Sequence, residues 1–318
     1  MAEIPSAVGR SRFSRPSVPA SSSSRALGVQ PGRSHMEIVH AANHSDYPAS
    51  PLAIFSSVRR HWKLILSLTR RDLAERFQGS LLGPLWFVIT PAILILTYTL
   101  VFGMVFKVRV PFGRTPDTSN LEFGLFLFSG LLIFTVFSDV VSRSTSLIVS
   151  RPNFVKKVVF PLEILSMVTV LSALAGGLLS FALLVVAATV TSGGLTMTSF
   201  LYLGALVLLT PMLIGLSWLL SALGTYMRDI AQIIGLLLTV FLFLSPVFTP
   251  LSQFPPVVRT YLLLNPVSVP IELGHTTFFL NQLPPPWVVA GYLGSALAVM
   301  WLGWAFFQKT RAGFADVL

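Results

Sequence analysis

RRHWKLILSLTRRDLAERFQGSLLGPLWFVITP, Arg59–Pro91, is where a basic amphipathic run passes directly into an apolar run without charge. At about 100° per residue, a helix over the first part puts Trp62, Ile65, Leu66, Thr69, Leu73 and Phe77 on one face, with Arg60, Lys63, Arg71, Asp72 and Glu75 on the other. Such a helix lies in a membrane surface. Gln78, Gly79 and Ser80 then permit a bend, and Leu81 to Phe106 continues for 26 residues without a charged side chain, enough to cross a bilayer. A surface helix hinged to a spanning helix can work as a mechanical part. Periodicity leaves equally open a basic anchor that only sets orientation.

The rest of the chain has the same character. It is 53% hydrophobic and 11% charged, with a mean hydropathy of +0.77, whereas soluble domains carry about 25% charged residues. The expected fold class is an all-α polytopic membrane protein. A net charge of +10 would suggest nucleic acid in a soluble chain; here the basic residues flank apolar spans, so orientation in the membrane accounts for them and no nucleic-acid partner is expected. With no cysteine there is no disulfide framework, thiol nucleophile or Cys-based metal site.

Residues 1–50 are rich in Ser, Pro and Arg and too poor in apolar residues to repay the entropy of ordering, so they read as a disordered tail. They contain no apolar core of a secretory signal, although their Arg- and Ser-rich, acid-poor character mimics a transit peptide. A start at Met36 is the duller reading. Beyond the tail come an amphipathic segment over 51–80 and six long apolar segments at about 82–106, 121–142, 163–190, 200–224, 230–250 and 286–307. With the N-terminus in the cytosol, thirteen basic residues fall inside, including Arg143, Arg151 and Arg311, and four fall outside: Lys107, Arg109, Arg114 and Arg259. That asymmetry predicts that both termini are cytosolic.

Two connections stand apart. Between spans 2 and 3, Pro152 and Pro161 bracket a short cytosolic segment with room for about two helical turns, suited to docking or serving only as a basic turn. Between spans 5 and 6, nine prolines lie in residues 246–286 and break any continuous helix. The pieces around Val257–Leu264 and Val267–Leu280 are too short to cross and too apolar for water, which predicts two short helices at the outer mouth. An inert Pro-rich cap is the alternative.

The spans hold almost no ionisable groups. An ion-coupled carrier keeps carboxylates or histidines near the midplane, and none is evident; energy for uphill movement must come from another subunit. Glu272 and His275 stand at i, i+3, but no further carboxylate or histidine cluster accompanies them, and a local hydrogen bond between helix-edge groups is the expected arrangement. The chain has no GxxxxGK[ST] phosphate loop. Aromatic stripes remain: Tyr98, Phe102 and Phe106 at i, i+4, i+8 on span 1, and Phe123, Phe126, Phe134 and Phe137 on one face of span 2. Such rings can line a path for an amphipathic polymer or simply pack between helices. Small residues at Gly176, Gly177 and Ser180, and at Ser217, Ser221 and Gly224, would let helices approach closely.

Four separated stretches resemble one family. TRRDLAERFQGSLLGPLWFVITPAILILTYTLVFGMVFKV (Thr69–Val108) looks like the interface helix and first span of the ABC-2 type permeases that export O-antigen, capsule and teichoic acid polysaccharides. RPNFVKKVVFPLEIL (Arg151–Leu165) is similar to their coupling segment, LSPVFTPLSQFPPVVRTYLLLNPVSVPIEL (Leu244–Leu273) to their external gate, and FADVL (Phe314–Leu318) to their C-terminal end. The resemblance implies a bacterial inner-membrane permease, not an enzyme: a homodimer of six-span subunits, each paired with a cytosolic nucleotide-binding ATPase that holds ATP and magnesium. No cofactor is then expected on this chain. The implied substrate is a lipid-linked glycan carried in contact with membrane lipid. By position, Arg70, Arg71, Asp72, Arg76 and Phe77 belong to the interface helix. Asn153, Phe154, Lys156, Lys157 and Pro161 fall in the coupling segment, within about 143–162 of the six-span domain 81–318. Pro256, Asn265, Pro266 and Glu272 fall in the gate, about 251–285, and the two aromatic stripes become channel-lining candidates. Export of a small hydrophobic compound or lipo-oligosaccharide is the nearest rival; a membrane-embedded enzyme or a secondary carrier is further off.

Overall fold

A computed structural model describes residues 51–76, 78–106, 120–155, 160–192 and 196–317. The expected tail (1–50), Phe77, Lys156 and Lys157 lie outside the described residues. The elements are helical throughout. Helix α1, Pro51–Glu75, is followed by a turn in which Gly79 (φ 84°) and Gly83 (φ 51°) take left-handed backbone conformations open to glycine at little cost. Those two residues make the bend expected after the surface helix.

Next come α2 (Trp86–Tyr98), α3 (Asn120–Ser144), the single turn α4 (Pro152–Val155), α5 (Glu163–Ser192), α6 (Tyr202–Tyr226) and α7 (Ile230–Phe243). Then follow α8 (Pro256–Leu262), α9 (Ser268–His275), α10 (Pro286–Thr310) and the short α11 (Phe314–Val317). Span 1 is completed by a π-helical stretch, Thr99–Val105, in which the Phe106 N–H reaches the Val101 carbonyl five residues back at 3.0 Å. The widened turn leaves room for α3 to approach where Gly124 lies against Thr99.

Among the described residues, five stretches are long and apolar enough to cross a membrane: Val88–Val105, Glu122–Ser144, Glu163–Val190, Met197–Tyr226 and Pro286–Gly313. The remaining expected span, 230–250, is shorter than anticipated. Helix α7 has 14 residues, about 21 Å at 1.5 Å per residue, against a hydrocarbon core of about 30 Å. It stops because Pro246 disfavours helix in the residue before it. The side-chain amide of buried Asn265 also takes up its last carbonyls, donating to Phe241 O at 3.1 Å and Leu244 O at 3.0 Å.

Helix α3 is central, packed against α5, α6 and α9. Its Phe126, Leu127 and Ile133 are wholly buried. Between apolar spans, lipid offers the same solvation as leucine, so close packing and small residues decide the arrangement. The most extensive contact is α6 on α10, where Gly303 faces the carbonyl of Gly215 and a Cβ on either glycine would strike the opposing backbone. Beside this crossing Trp218 and Trp304 meet edge to face at 4.9 Å. Gly224 similarly admits the Thr145 carbonyl. Gly177 and Gly224 were legible as small contact positions; Gly215 and Gly303 belong to neither expected stripe.

Candidate functional site

Helix α1 turns to the protein only part of the face that hydropathy selects, Ile65 and Thr69. Its inward stripe is Ile54, Val58, Ile65, Thr69 and Asp72, spaced at three, four and seven residues. Trp62 and Leu66 from the expected apolar face are left exposed by the chain. Asp72, grouped by sequence with the outward charges, is only 5% exposed.

A charged side chain can be buried there because four elements converge on it. From α3, Arg143 Nη2 donates to Oδ1 and Oδ2 of Asp72 at 2.8 and 2.7 Å. From the loop before α4, Arg151 Nη2 donates to Oδ1 at 2.9 Å, and from α5 the Ser172 hydroxyl donates to Oδ2 at 2.6 Å. Arg76, one turn on from Asp72, donates from Nη2 to Asp139 of α3 at 2.7 Å. Charge-assisted bonds of this kind are the strong ones, and they hold α1, the spanning helices α3 and α5 and the loop before α4 in one register.

Burial by itself pushes the Asp72 carboxyl up, but the hydrogen bonds from Ser172, Arg143 and Arg151 and the Arg143 charge outweigh it and hold it below the usual carboxylate range. The folded value lies below the unfolded one, so the stabilisation is fully present above the unfolded pKa of about 3.9 and fades as pH falls through the folded value. The stability difference between wild type and Asp72→Asn is therefore expected to be constant from pH 8 to 5 and to narrow below about pH 4. Thermal unfolding across that range checks it; narrowing already near neutral pH would assign the titration to another group.

A second tie secures the N-terminal half of α1. Ser57 donates to Glu163 Oε1 at 3.1 Å, and Arg311 Nη1 donates to Glu163 Oε2 at 2.8 Å while its Nη2 reaches the Phe160 carbonyl at 3.1 Å. The Trp218 indole donates to the Glu163 carbonyl at 3.0 Å. Helix α1 is thus fixed to the start of α5 and to the chain's C-terminal end as well as to the loop.

Of the expected coupling residues, Phe154 stacks on Phe160 at 4.5 Å. Phe154 also lines a groove of about 270 Å³ with Leu68, Arg71, Glu75 and Arg151. The expected two turns between the prolines are one described turn, Pro152–Val155. Arg70 and Arg71 are exposed, Arg71 pairing with Glu75 at 2.7 Å, and Arg76 is drawn inward instead.

At the opposite end, the two short helices between spans 5 and 6 are α8 and α9, within the expected pieces. Asn265 starts α9 by accepting the Val267 N–H at 3.2 Å. Pro266 offers its carbonyl to Tyr292 of α10 at 2.7 Å, and Glu272 accepts the Leu251 N–H at 3.2 Å. Glu272 and His275 do not bond each other as expected: His275 is buried, stacked on Phe126 at 4.0 Å, with Nε2 3.2 Å from the Phe126 carbonyl. Pro256 begins α8, whose Val257 and Tyr261 are exposed. So α9 is bolted to α3 and α10, and α8 is held loosely.

The channel-lining expectation divides in the same way. Phe123, Phe126, Phe134 and Phe137 are all buried inside the single chain, packed on Phe102, His275, Phe279 and Phe241. The reason is that α3 is surrounded by helices, so even its aromatic face is an internal one. Tyr98 and Phe102 are half-buried and Phe106 is exposed. Hydropathy missed the partners of Asp72 and Glu163; the available signal was the pair Asp139 and Arg143 at i, i+4 in a helix whose other charged residue, Glu122, stands in its first turn. Among the described residues no cluster of three or more His, Cys, Asp or Glu could hold a metal ion.

A family model described as "ABC-2 type transporter" matches residues 63–279. Relatives include an "O-antigen export system permease protein RfbA" of Myxococcus xanthus, 28% identical over 255 residues that cover 80% of this chain and 94% of the relative. One of the same name from Klebsiella pneumoniae is 23% identical over 259 residues, 80% of this chain and 95% of the relative. A "Polysialic acid transport protein KpsM" of Escherichia coli is 24% identical over 241 residues, 74% and 85% of the two chains.

Proposed function

The chain belongs to the ABC-2 type transporter family, and from that premise we propose that it is the permease subunit of an ATP-driven exporter carrying a lipid-linked polysaccharide, of the O-antigen or capsule kind, across the bacterial inner membrane. It is a multi-pass membrane protein and a transporter, and family membership implies an ABC transporter with an ATPase partner. The subunit acts as a homodimer, both termini lie in the cytosol, and ATP with magnesium is bound on the partner rather than here. The relatives' printed names support the polysaccharide substrate.

The observation that carries the mechanism is the Asp72 junction, at which Arg151 of the loop and Arg143 of α3 share one carboxylate of α1. The ATPase docks on the groove beside Phe154. Closure of its nucleotide sites displaces the loop, and because Arg151 and Asp72 are joined, α1 tilts about the Gly79–Gly83 bend and moves α2 with it. Glycan passes where two subunits meet along the faces of α2 and of the π-helical stretch after it that the single chain leaves uncovered, among them Leu96, Leu100 and Phe106. On the outer side the loosely held α8 yields first.

Phe154→Ala is expected to lower ATP-dependent glycan export severalfold while membrane insertion and purified yield stay at wild-type levels, measured as surface glycan against ATP hydrolysed by the assembled complex. Deleting the ATPase partner must abolish surface display of the glycan. Display that persists without the partner refutes the proposal, and export of a small hydrophobic compound with no change in any surface glycan selects the rival reading.

A further inference from the structure

Between α2, α3 and α5 lies a cavity of about 310 Å³ that the export mechanism does not use. Its lining extends from Trp86 to Leu94 on α2 and from Asp139 to Phe128 on α3, about 12–16 Å at 1.5 Å per residue. One end carries Arg76 and Asp139; the other is walled by Leu94, Phe128 and Leu132, with the hydroxyls of Thr90, Thr135 and Ser180 spaced along it. Gly177 keeps the gap between α3 and α5 narrow but open, since a Cβ there would meet Val136 Cγ2 at 2.6 Å. A pocket charged at one end and apolar at the other has the polarity of a lipid.

The charged end is electrostatically incomplete. Arg76, Arg143 and Arg151 meet Asp72 and Asp139, three positive groups against two negative ones. Arg76 Nε and Arg143 Nη1 are buried and make no hydrogen bond; their nearest carboxylate oxygens stand at 3.7 and 3.6 Å. A buried guanidinium N–H without an acceptor is unfavourable; of the two arginines Arg76 lines the cavity, and a monoanionic acceptor beside it would neutralise the cluster and give that guanidinium a further partner. The volume stands at the lower limit of small-molecule sites, about 300 Å³, enough for a phosphate and the upper part of one chain and far too little for a glycan.

We propose that this cavity seats one bilayer phospholipid with an anionic headgroup, its phosphate on Arg76 and one acyl chain along the apolar wall. The inference rests on reading the α1 side as the cytosolic face, where basic pockets between spanning helices take anionic headgroups. The lipid then fastens the bend after α1 to α3 from within the leaflet, beside the Asp72 junction.

The test uses the full chain assembled with its ATPase, equilibrated in equal phosphatidylglycerol and phosphatidylcholine, with retained lipid counted by native mass spectrometry. Wild type is expected to keep phosphatidylglycerol at least tenfold over phosphatidylcholine. Thr135→Phe, which fills an exposed position on the cavity wall and leaves every charge in place, is expected to cut retention at least fivefold. Arg76→Gln removes the preference between headgroups. Equal retention of the two lipids, or retention unchanged in Thr135→Phe, overturns the proposal. Displacement of phosphatidylglycerol by an equimolar isoprenoid monophosphate also overturns it, assigning the cavity to the carrier lipid. Loss of ATP-driven export with lipid retention intact counts against the export reading alone, and the converse counts against this one alone.

Discussion

Asp72→Ala is expected to destabilise the folded subunit by about 3 kcal/mol, the lower end of the range for breaking a buried ion pair, because it strands Arg143 and Arg151 around an empty site and leaves Arg76 with Asp139 alone. The lower end applies since the three guanidinium side chains remain about a quarter exposed, at 27%, 25% and 24%, and water can reach them. The effect is not confined to stability: without the shared carboxylate, the C-terminal half of α1 loses the Asp72 bonds to α3, α5 and the loop together, and only the Ser57–Glu163 tie at its other end remains. ATP hydrolysis by the assembled complex should therefore continue while glycan export falls by at least tenfold. Arg143→Ala in the Asp72→Ala background should cost much less than either change alone, because the second mutation removes a charge that the first left unpaired. Additive losses in that cycle would show that the two residues act separately. Wild-type coupling in Asp72→Ala would return α1 to the role of a passive anchor.

The second large effect is a packing one. Gly303→Ala places a methyl group onto the Gly215 carbonyl at the crossing of α10 and α6, where the opposing atoms are backbone and cannot rotate away. The axes must separate, and overpacking of this kind costs about 1–3 kcal/mol or more. In a bilayer the loss is felt in full, because close packing rather than a hydrophobic drive holds spans together. The Trp218–Trp304 contact beside the crossing opens with it. Gly294→Ala on the same helix is the control: nothing lies within 4 Å of its Cβ position, and exchanging Gly for Ala in a helix favours the fold by up to about 1 kcal/mol. Gly303→Ala should lower folded yield and thermal stability markedly, with Gly294→Ala at or above wild type. Equal behaviour of the two would mean that α6 and α10 do not meet as closely as the crossing requires.

The aromatic residues show where reading from one dimension stops. The stripes at Tyr98–Phe106 and Phe123–Phe137 have the same spacing rule, yet Phe106 faces outward and Phe126 is wholly buried. Periodicity reports that a face is apolar; whether lipid, a cavity or another helix covers it depends on neighbours supplied from elsewhere in the chain. The region between α7 and α10 was more legible. Prolines act on their own and adjacent residues, so the breaks that leave α8 and α9 could be placed without any tertiary information.

The order of elements, the bend after α1, most span boundaries and the short helices before α10 follow from local rules: hydrocarbon thickness sets the length of an apolar run, and Gly and Pro act within a few residues. Family resemblance, too, is carried by contiguous stretches. The pairing of Asp72 with Arg143, Arg151 and Ser172, the seating of Glu163 between Ser57 and Arg311, and the contact of Gly215 with Gly303 join residues that lie 71 to 148 positions apart. Ser57 and Glu163 are likewise 106 residues apart. No periodicity encodes such meetings. They arise when spans pack side by side and a buried charge takes the counter-charges that the packing brings within hydrogen-bond reach. For Asp72 this reverses the face on which hydropathy had placed it.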